Sequence, residues 1–270
     1  MRYIFIFLAT LSLCADDGHI EKYLKFLEQH REGLGKTGNY KEREIEIVTD
    51  LKKVREIEKL QKARCLKQGM SEEGALLASR IGVISEDLYW VFIRDAVIFP
   101  SGAEGSYNRI LLKKSLDNGV PAVAVLPILS DGKVAAIISF RHATRSWELE
   151  LPKGFKQKNE TVENAVNREL EEETGFHSKE NIFLGEVAPD PSMTNSLIPV
   201  YAAKVEKQSF SNQDYFEAIF GVKTFTIPEL KEAFVKGYIE VDMKGKKEKV
   251  LVRDSYLVYA LSLAECRKII

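Results

Sequence analysis

The stretch LPKGFKQKNETVENAVNRELEEETGF, Leu151–Phe176, decides the fold of this chain. Between Thr161 and Thr174 it contains neither glycine nor proline, so it predicts a helix over those residues. Gly175 follows directly, and glycine readily ends a helix in a left-handed conformation. Ala165 and Leu170 lie on one side of this helix, so we expect that side to pack against a hydrophobic core.

Three glutamates share another face of the predicted helix. Glu169, Glu172 and Glu173 stand at positions i, i+3 and i+4, which are neighbours on a helix surface. Like charges this close repel one another, so the cluster is a poor choice for stability alone. A hard divalent cation relieves the repulsion, and Mg²⁺ prefers a few carboxylates together with waters and substrate phosphate oxygens. The adjacent Arg168 can hold one carboxylate by two hydrogen bonds and fix its direction.

The spacing of residues upstream favours a metal site over a solvated surface. An acidic run alone is most often a solvated helix face. Here the run belongs to the longer pattern G-x5-E-x7-R-E-U-x-E-E-x-G-U, in which U is a bulky apolar residue. Its positions are filled by Gly154, Glu160, Arg168, Glu169, Leu170, Glu172, Glu173, Gly175 and Phe176. The pattern resembles the signature of the Nudix hydrolases at every specified position.

This resemblance implies a metal-dependent enzyme that hydrolyses a pyrophosphate joining a nucleoside to another group. Metals suit the task because they neutralise the pyrophosphate and lower the pKa of a bound water. By resemblance the metal ligands are the three glutamates and the backbone carbonyl of Lys153, with Glu172 and Glu173 also assigned to catalysis. Glu160 and Arg168 would support the helix and the loop. Mg²⁺ is the expected cofactor, with Mn²⁺ as the alternative.

Segments on both sides of the motif resemble the ADP-ribose and ADP-sugar pyrophosphatase branch of this family. They are FRHATRSWELELPKG before it and APDPSMTN after it. By this resemblance Arg141 contacts phosphate and Glu150 contacts the ligand, while Gly154 and Pro191 complete the substrate-binding set. The leading expectation is therefore cleavage of ADP-ribose or an ADP-sugar into AMP and a sugar phosphate.

The same branch places a general base, or a further metal ligand, in a loop after the motif. The matching segment here is SFSNQDYFEAIF, in which Glu217 is the first choice and Asp214 the second. Both are carboxylates that could accept a proton from an attacking water.

Two other functions stay open. The LPKG sequence also occurs in enzymes that cut dinucleoside polyphosphates, so a dinucleoside polyphosphate or diphosphoinositol-type hydrolase is the nearest enzymatic alternative. A sensor that binds a nucleotide without turnover is the other. The complete set of three glutamates argues against the sensor, because a pure binder has little need for it.

The first fifteen residues, MRYIFIFLATLSLCA, have the parts of a secretory signal peptide. Arg2 precedes an apolar run that is too short to span a bilayer, for which ~20 apolar residues are wanted. We expect cleavage of residues 1–15, a location in the secretory pathway or outside the cell, and no stable membrane anchor afterwards. If the segment is not a true signal, the cytoplasm is expected. A glycosylation sequon at Asn159 is in tension with secretion, because a glycan there would adjoin the catalytic loop.

The composition is that of an ordinary globular protein, with 270 residues, 45% hydrophobic and 29% charged. A net charge of −1 argues against a broad basic surface for nucleic acid, so the expected partner is a small nucleotide. Cys65 and Cys266 are too few for a disulfide framework. Buried free thiols are expected, with a single bridge as the alternative.

We predict three parts along the chain: the signal peptide, a helical extension over residues 16–82, and a Nudix hydrolase domain over residues 83–270. The extension includes a helix that Asp50 caps, and is expected to pack on the catalytic domain or a second subunit, which leaves a homodimer open. Apolar runs separated by turn signals predict strands after Tyr89. The expected fold is α/β, a Nudix-type mixed β-sheet between α-helices, with an N-terminal helical extension.

Overall fold

The computed structural model describes residues 18–117, 119–207 and 218–270. The chain divides into two compact units, Met1–Ile110 and Leu111–Ile270. The predicted signal peptide lies outside the described residues, as do Asp214 and Glu217. Secretion, the candidate bases and the homodimer therefore stay predictions. Within the described ranges, the structure has no helix of the length and apolar character needed to cross a membrane.

The first unit combines helices with a small sheet. Its elements are α1 (Gly18–Gln29), α2 (Arg31–Leu34), a short 3-10 helix (Tyr40–Glu42), β1 (Glu46–Ile47), α3 (Leu51–Lys67), α4 (Glu72–Ser79), β2 (Gly82–Glu86), β3 (Trp90–Ile98) and β4 (Glu104–Leu112). In the part of the chain that is described, β3 pairs with each of the other three strands. The predicted cap is confirmed, since the Asp50 side chain accepts a hydrogen bond from the backbone N–H of Lys53.

Strand pairing explains why the units divide where they do. The sequence predicts helices alone before residue 83, but β1 and β2 pair with β3 through backbone hydrogen bonds. These pairings bind the helical segment and the strand Trp90–Ile98 into one sheet. The structural division consequently falls after Ile110, further along the chain than the predicted start of the hydrolase domain.

The second unit contains the motif helix and a larger sheet. Its elements are α5 (Lys113–Leu116), β5 (Ala122–Leu129), β6 (Val134–Arg141), β7 (Ser146–Glu150), β8 (Lys153–Phe155), α6 (Val162–Thr174), β9 (Phe176–Val187), β10 (Ile198–Lys207), β11 (Ile219–Phe225), α7 (Ile227–Lys236), β12 (Tyr238–Met243), β13 (Lys246–Leu251) and α8 (Ser255–Cys266). Among the described strands the order is β12-β13-β7-β6-β5-β10-β9, with β11 on β6 and β8 on β5. Strand β10 runs parallel to β5 and antiparallel to β9, so the sheet is mixed.

Helices cover both faces of this sheet, and β5 shows how. Successive strand residues point to opposite faces. Val123 and Val125 accordingly pack in one cluster with apolar residues of α6, whereas Ala124 and Leu126 pack in another with residues of α7 and α8. The expected mixed sheet between helices is confirmed.

Both described cysteines are free thiols. Cys65 is half-buried and Cys266, at the end of α8, is exposed. The expectation of burial is therefore wrong for Cys266. The last turn of an amphipathic helix leaves one side in solvent, and this residue lies on that side.

A buried ion pair stabilises the first unit. Asp95 on β3 is 1% exposed, and its carboxylate accepts hydrogen bonds from the Tyr23 hydroxyl at 2.6 Å and from Arg109 Nε at 2.6 Å. A buried carboxylate needs such partners because an uncompensated charge is costly to remove from water. Burial, followed by the charge of Asp95, raises the pKa of Tyr23 well above its ordinary value, so the hydroxyl keeps its proton and remains a donor.

We expect Asp95→Ala to lower the free energy of unfolding of the first unit by about 3–5 kcal/mol, because Arg109, whose side chain is only 19% exposed, then loses its counter-charge. Urea denaturation followed by circular dichroism measures the loss. Glu72→Ala is the matched control in the same unit, since it removes an exposed ion pair with Lys62 that is worth about 0–1 kcal/mol. Equal losses in the two variants would contradict the assignment.

Candidate active site

Helix α6 forms where the sequence predicts it, and its two ends are fixed by side chain and backbone. The Thr161 hydroxyl accepts a hydrogen bond from the backbone N–H of Asn164 at 3.1 Å, which caps the first turn. Gly175 ends the helix with a φ of 70°, in the left-handed region. Buried Ala165, Val166 and Leu170 anchor the helix on the sheet. The three glutamates project from another face.

Glu169 packs so closely against Gly154 that any larger residue there would displace the Glu169 carboxylate. Strand β8 pairs with β5, with Gly154 opposite Val123, which places the start of the motif beside α6. A Cβ atom on Gly154 would lie 2.3 Å from Oε1, Oε2 and Cδ of Glu169. The requirement is one of space, since the backbone of Gly154 is not left-handed. Its predicted contact with substrate stays a prediction.

Arg168 links the acidic face of α6 to the loop before it. Its Nε and Nη2 donate to the two carboxylate oxygens of Glu160 at 2.9 and 3.1 Å, a two-point pairing. Its Nη1 donates to Glu169 at 2.7 Å and to Glu172 at 2.9 Å, and Nη2 also reaches the Phe155 carbonyl at 2.9 Å. These contacts raise the pKa of Arg168, and the hydrogen bond to Glu160 has the largest effect. Arg168 in turn lowers the pKa of Glu160. The predicted role of both residues in supporting a metal site stays a prediction.

The backbone of Lys153 adjoins the third glutamate. Glu173 is buried, and its Oε2 accepts a hydrogen bond from the Lys153 backbone N–H at 2.9 Å. This contact fixes the direction of the Glu173 carboxylate from outside its own helix. A role for the Lys153 carbonyl as a metal ligand stays a prediction.

The donor chemistry of this face fits a hard divalent cation, since Glu169, Glu172 and Glu173 supply carboxylate oxygens on one helix. Glu172 is the accessible member, with a side chain 42% exposed. Among the described residues, no three histidine, cysteine, aspartate or glutamate side chains converge as a formed metal site. Arg168 Nη1 donates to both Glu169 and Glu172, so these carboxylates are held in place on the face that would bind the cation.

A second group of charges lies on the sheet side of the motif. Arg141, at the end of β6, donates through Nε to Oε2 of Glu150 at 2.6 Å, and Glu150 is 7% exposed. The two predicted substrate contacts are thus paired with each other. Burial lowers the pKa of Arg141, but the hydrogen bonds and charge of Glu150, with the charges of Glu173 and Asp254, raise it overall.

The Lys153 side chain and Asp254 complete this group. Sequence reasoning named only the backbone carbonyl of Lys153 and missed its ammonium and Asp254. Lys153 Nζ is buried and lies 3.1 Å from Glu150 Oε2, 3.6 Å from Asp254 Oδ2 and 5.6 Å from the centre of the Tyr256 ring. Asp254 caps α8 and accepts a hydrogen bond from the Leu151 backbone N–H at 3.0 Å. Burial raises the pKa of Asp254, opposed by the charge of Lys153. The sequence marks Asp254 as a helix start, but nothing local points to Leu151.

One further predicted residue lies in a loop. Pro191 is exposed in the turn between β9 and β10, where the Asp190 carbonyl accepts hydrogen bonds from the backbone of Met193 and Thr194 at 3.1 and 2.8 Å. Its role in substrate binding stays a prediction. Glu217, the candidate base, lies outside the described residues.

Comparison with known proteins agrees with this geometry. The chain is 28% identical over 146 residues to the ADP-sugar pyrophosphatase of Mus musculus. The matched region covers 53% of this chain and 67% of that protein. The chain is 26% identical over 152 residues to the ADP-ribose pyrophosphatase of Saccharomyces cerevisiae, covering 54% and 66%. The match to the ADP compounds hydrolase NudE of Escherichia coli is shorter, 35% identical over 83 residues, or 31% and 44%. The chain thus spans about two thirds or less of these relatives.

A solved structure shows the same fold. The crystal structure of an ADP compounds hydrolase superposes with a TM-score of 0.52 and 21% sequence identity, covering 70% of this chain and 91% of the other. In sequence, residues 119–242 match the family model of the NUDIX domain. That range contains strands β5 to β11, the acidic face of α6 and Gly154. Residues 119–242 are therefore a NUDIX domain, which confirms the resemblance to the Nudix hydrolases over that part of the chain.

Proposed function

We propose that this protein hydrolyses the pyrophosphate bond of ADP-ribose or an ADP-sugar and releases AMP and a sugar phosphate. The observation that carries the proposal is the acidic face of α6, held by Arg168 and closely packed on Gly154. The names of the mouse and yeast relatives support the choice of an ADP-linked substrate. Mg²⁺ is the proposed metal, with Mn²⁺ as the alternative.

A divalent cation held by Glu169, Glu172 and Glu173 would neutralise the pyrophosphate and lower the pKa of a bound water. The chain's own residues fix the positions of these carboxylates. Gly154 leaves room for Glu169, and the backbone N–H of Lys153 orients Glu173. The orientation of these carboxylates matters because catalysis at a metal site depends on ligands that are already in position when the substrate binds.

Arg141 is proposed to bind a substrate phosphate. Its side chain is 41% exposed, so its guanidinium is accessible at the edge of the site. A planar guanidinium pairs with a phosphate through two hydrogen bonds, which orients the group as well as attracting it. The base that takes a proton from the attacking water is proposed to be Glu217.

The position of Lys153 bears on the alternative substrates. The LPKG sequence suggests a dinucleoside polyphosphate hydrolase, in which a lysine would meet additional phosphates. In this structure the Lys153 ammonium is buried between Glu150 and Asp254, so it does not face solvent. This orientation favours the ADP-sugar proposal over the alternative.

When the purified protein is incubated with ADP-ribose in the presence of Mg²⁺, it should release AMP and ribose 5-phosphate in equal amounts. Chromatography of the products measures this release. EDTA should abolish the release, because the carboxylates need a cation to act on a pyrophosphate. ADP-glucose and diadenosine tetraphosphate complete the panel. Turnover of the dinucleotide alone would favour the alternative, and failure to release AMP from every sugar nucleotide would overturn the proposal.

Glu172→Gln and Glu173→Gln should each lower kcat/KM by about 10²-fold or more, since the metal supplies several kcal/mol of charge stabilisation in the transition state. Circular dichroism should show an unchanged fold. Glu171→Gln is the matched control, with the same substitution on the same helix at an exposed position beside His177. Full activity in the Glu172 and Glu173 variants would remove the argument for a metal site.

Gly154→Ala should lower activity by about 10–100-fold, the range seen when residues that orient metal ligands are changed. The new methyl group must displace the Glu169 carboxylate, which is the flexible end of a side chain, so the fold should survive. Gly221→Ala is the control, because a Cβ there meets nothing within 4 Å. Steady-state kinetics at several Mg²⁺ concentrations measure the effect; wild-type activity in Gly154→Ala would show that the close packing has no functional role.

A further inference from the structure

We propose that the Lys153 ammonium is a standby counter-charge for Glu150, which releases Arg141 to bind the phosphates of the substrate. This inference rests on the proposed function and assigns Lys153 a role in substrate affinity. By standby counter-charge we mean a buried cation that neutralises Glu150 once Arg141 has turned away from it.

The first step concerns the cost of moving Arg141. Its Nε and Nη2 both bind the same carboxylate oxygen of Glu150, at 2.6 and 2.5 Å. Glu150 is 7% exposed, so solvent does little to stabilise its charge. A phosphate that draws Arg141 away would leave a buried carboxylate without its partner, which is strongly unfavourable. Arg141 therefore needs a replacement before it can serve the substrate.

The second step identifies that replacement. Lys153 Nζ lies 3.1 Å from the same Glu150 oxygen, within ion-pair distance, but without the alignment of a hydrogen bond. An ammonium has three donors, and this buried one makes no aligned hydrogen bond. Loss of the Arg141 contact frees the lone pairs of Glu150 for Lys153, which needs only a small rotation about its side-chain bonds.

The third step shows why Lys153 is available in both states. It is held on its other sides by Asp254, 3.6 Å away, and by the ring of Tyr256, 5.6 Å from Nζ to the centroid. Two cations and two carboxylates thus alternate across the group. A phosphate can take one cation while Glu150 keeps the other. Lys153 is accordingly a positioning residue, which acts on the substrate through Glu150 and Arg141.

The test combines a lysine variant with a compensating partner. Lys153→Met keeps the aliphatic stem but removes the charge, so Arg141 must stay with Glu150. KM for ADP-ribose should rise by about tenfold or more, the order expected when a charged group loses its hydrogen-bonding partner. The change in kcat should be smaller. Lys158→Met, an exposed lysine of the same loop, should leave KM unchanged.

The double variant Glu150→Gln with Lys153→Met separates this role from a general effect on folding. It removes one negative and one positive charge, so Arg141 is no longer held and KM should fall below that of Lys153→Met. A KM that stays as high as in Lys153→Met, or a Lys153→Met variant with unchanged KM, would overturn the proposal.

A binding measurement separates this inference from the choice of substrate. Inorganic pyrophosphate is titrated into each protein in EDTA by calorimetry. Weaker binding to Lys153→Met, with recovery in the double variant, supports the standby counter-charge even if no sugar nucleotide is hydrolysed. Equal binding to wild type and Lys153→Met, in a protein that hydrolyses ADP-ribose, overturns the inference and leaves the proposed function intact. A wild-type protein that neither binds pyrophosphate nor hydrolyses ADP-ribose overturns both.

Discussion

The guanidinium of Arg168 lies among the carboxylates of Glu160, Glu169 and Glu172, and the site depends on this contact. Glutamates one turn apart on a helix repel each other. A planar cation with five donors can satisfy several of them at once and also bind the Phe155 carbonyl. One side chain therefore offsets part of the negative charge of the helix, contacts two of its acids and ties it to the preceding loop.

The sequence predicted the parts of the site that depend on local spacing. Thr161 and Gly175 delimit α6 because caps act within one turn, and the i, i+3, i+4 spacing places the glutamates on one face. The unbroken apolar run of β5 accounts for its burial on both faces. These features require only residues that are close together in the chain.

Features that depend on distant contacts were beyond a single sequence. Strand β8 within the motif is three residues long and forms only because β5 is there to pair with it. Strand β12 alternates apolar and charged residues, but its partner β13 begins with four charged residues and shows no alternation that would have marked the hairpin. The pairing of Arg141 with Glu150 likewise became visible only when β6 and β7 were placed side by side. Charge partners are chosen by the fold rather than by order along the chain.

The hydrogen bond from Leu151 to Asp254 has a consequence for the synthesis of the protein. Asp254 lies 103 residues after Leu151, at the start of the last helix. A ribosome adds about 5–20 residues per second, so the acceptor for this loop appears roughly 5–20 s after the loop itself. The motif helix can form early from its own caps. The segment that carries Lys153 and Gly154 follows Leu151, and it is held in place only after Asp254 has been synthesised. A nascent chain therefore holds the acidic helix before it holds a finished site.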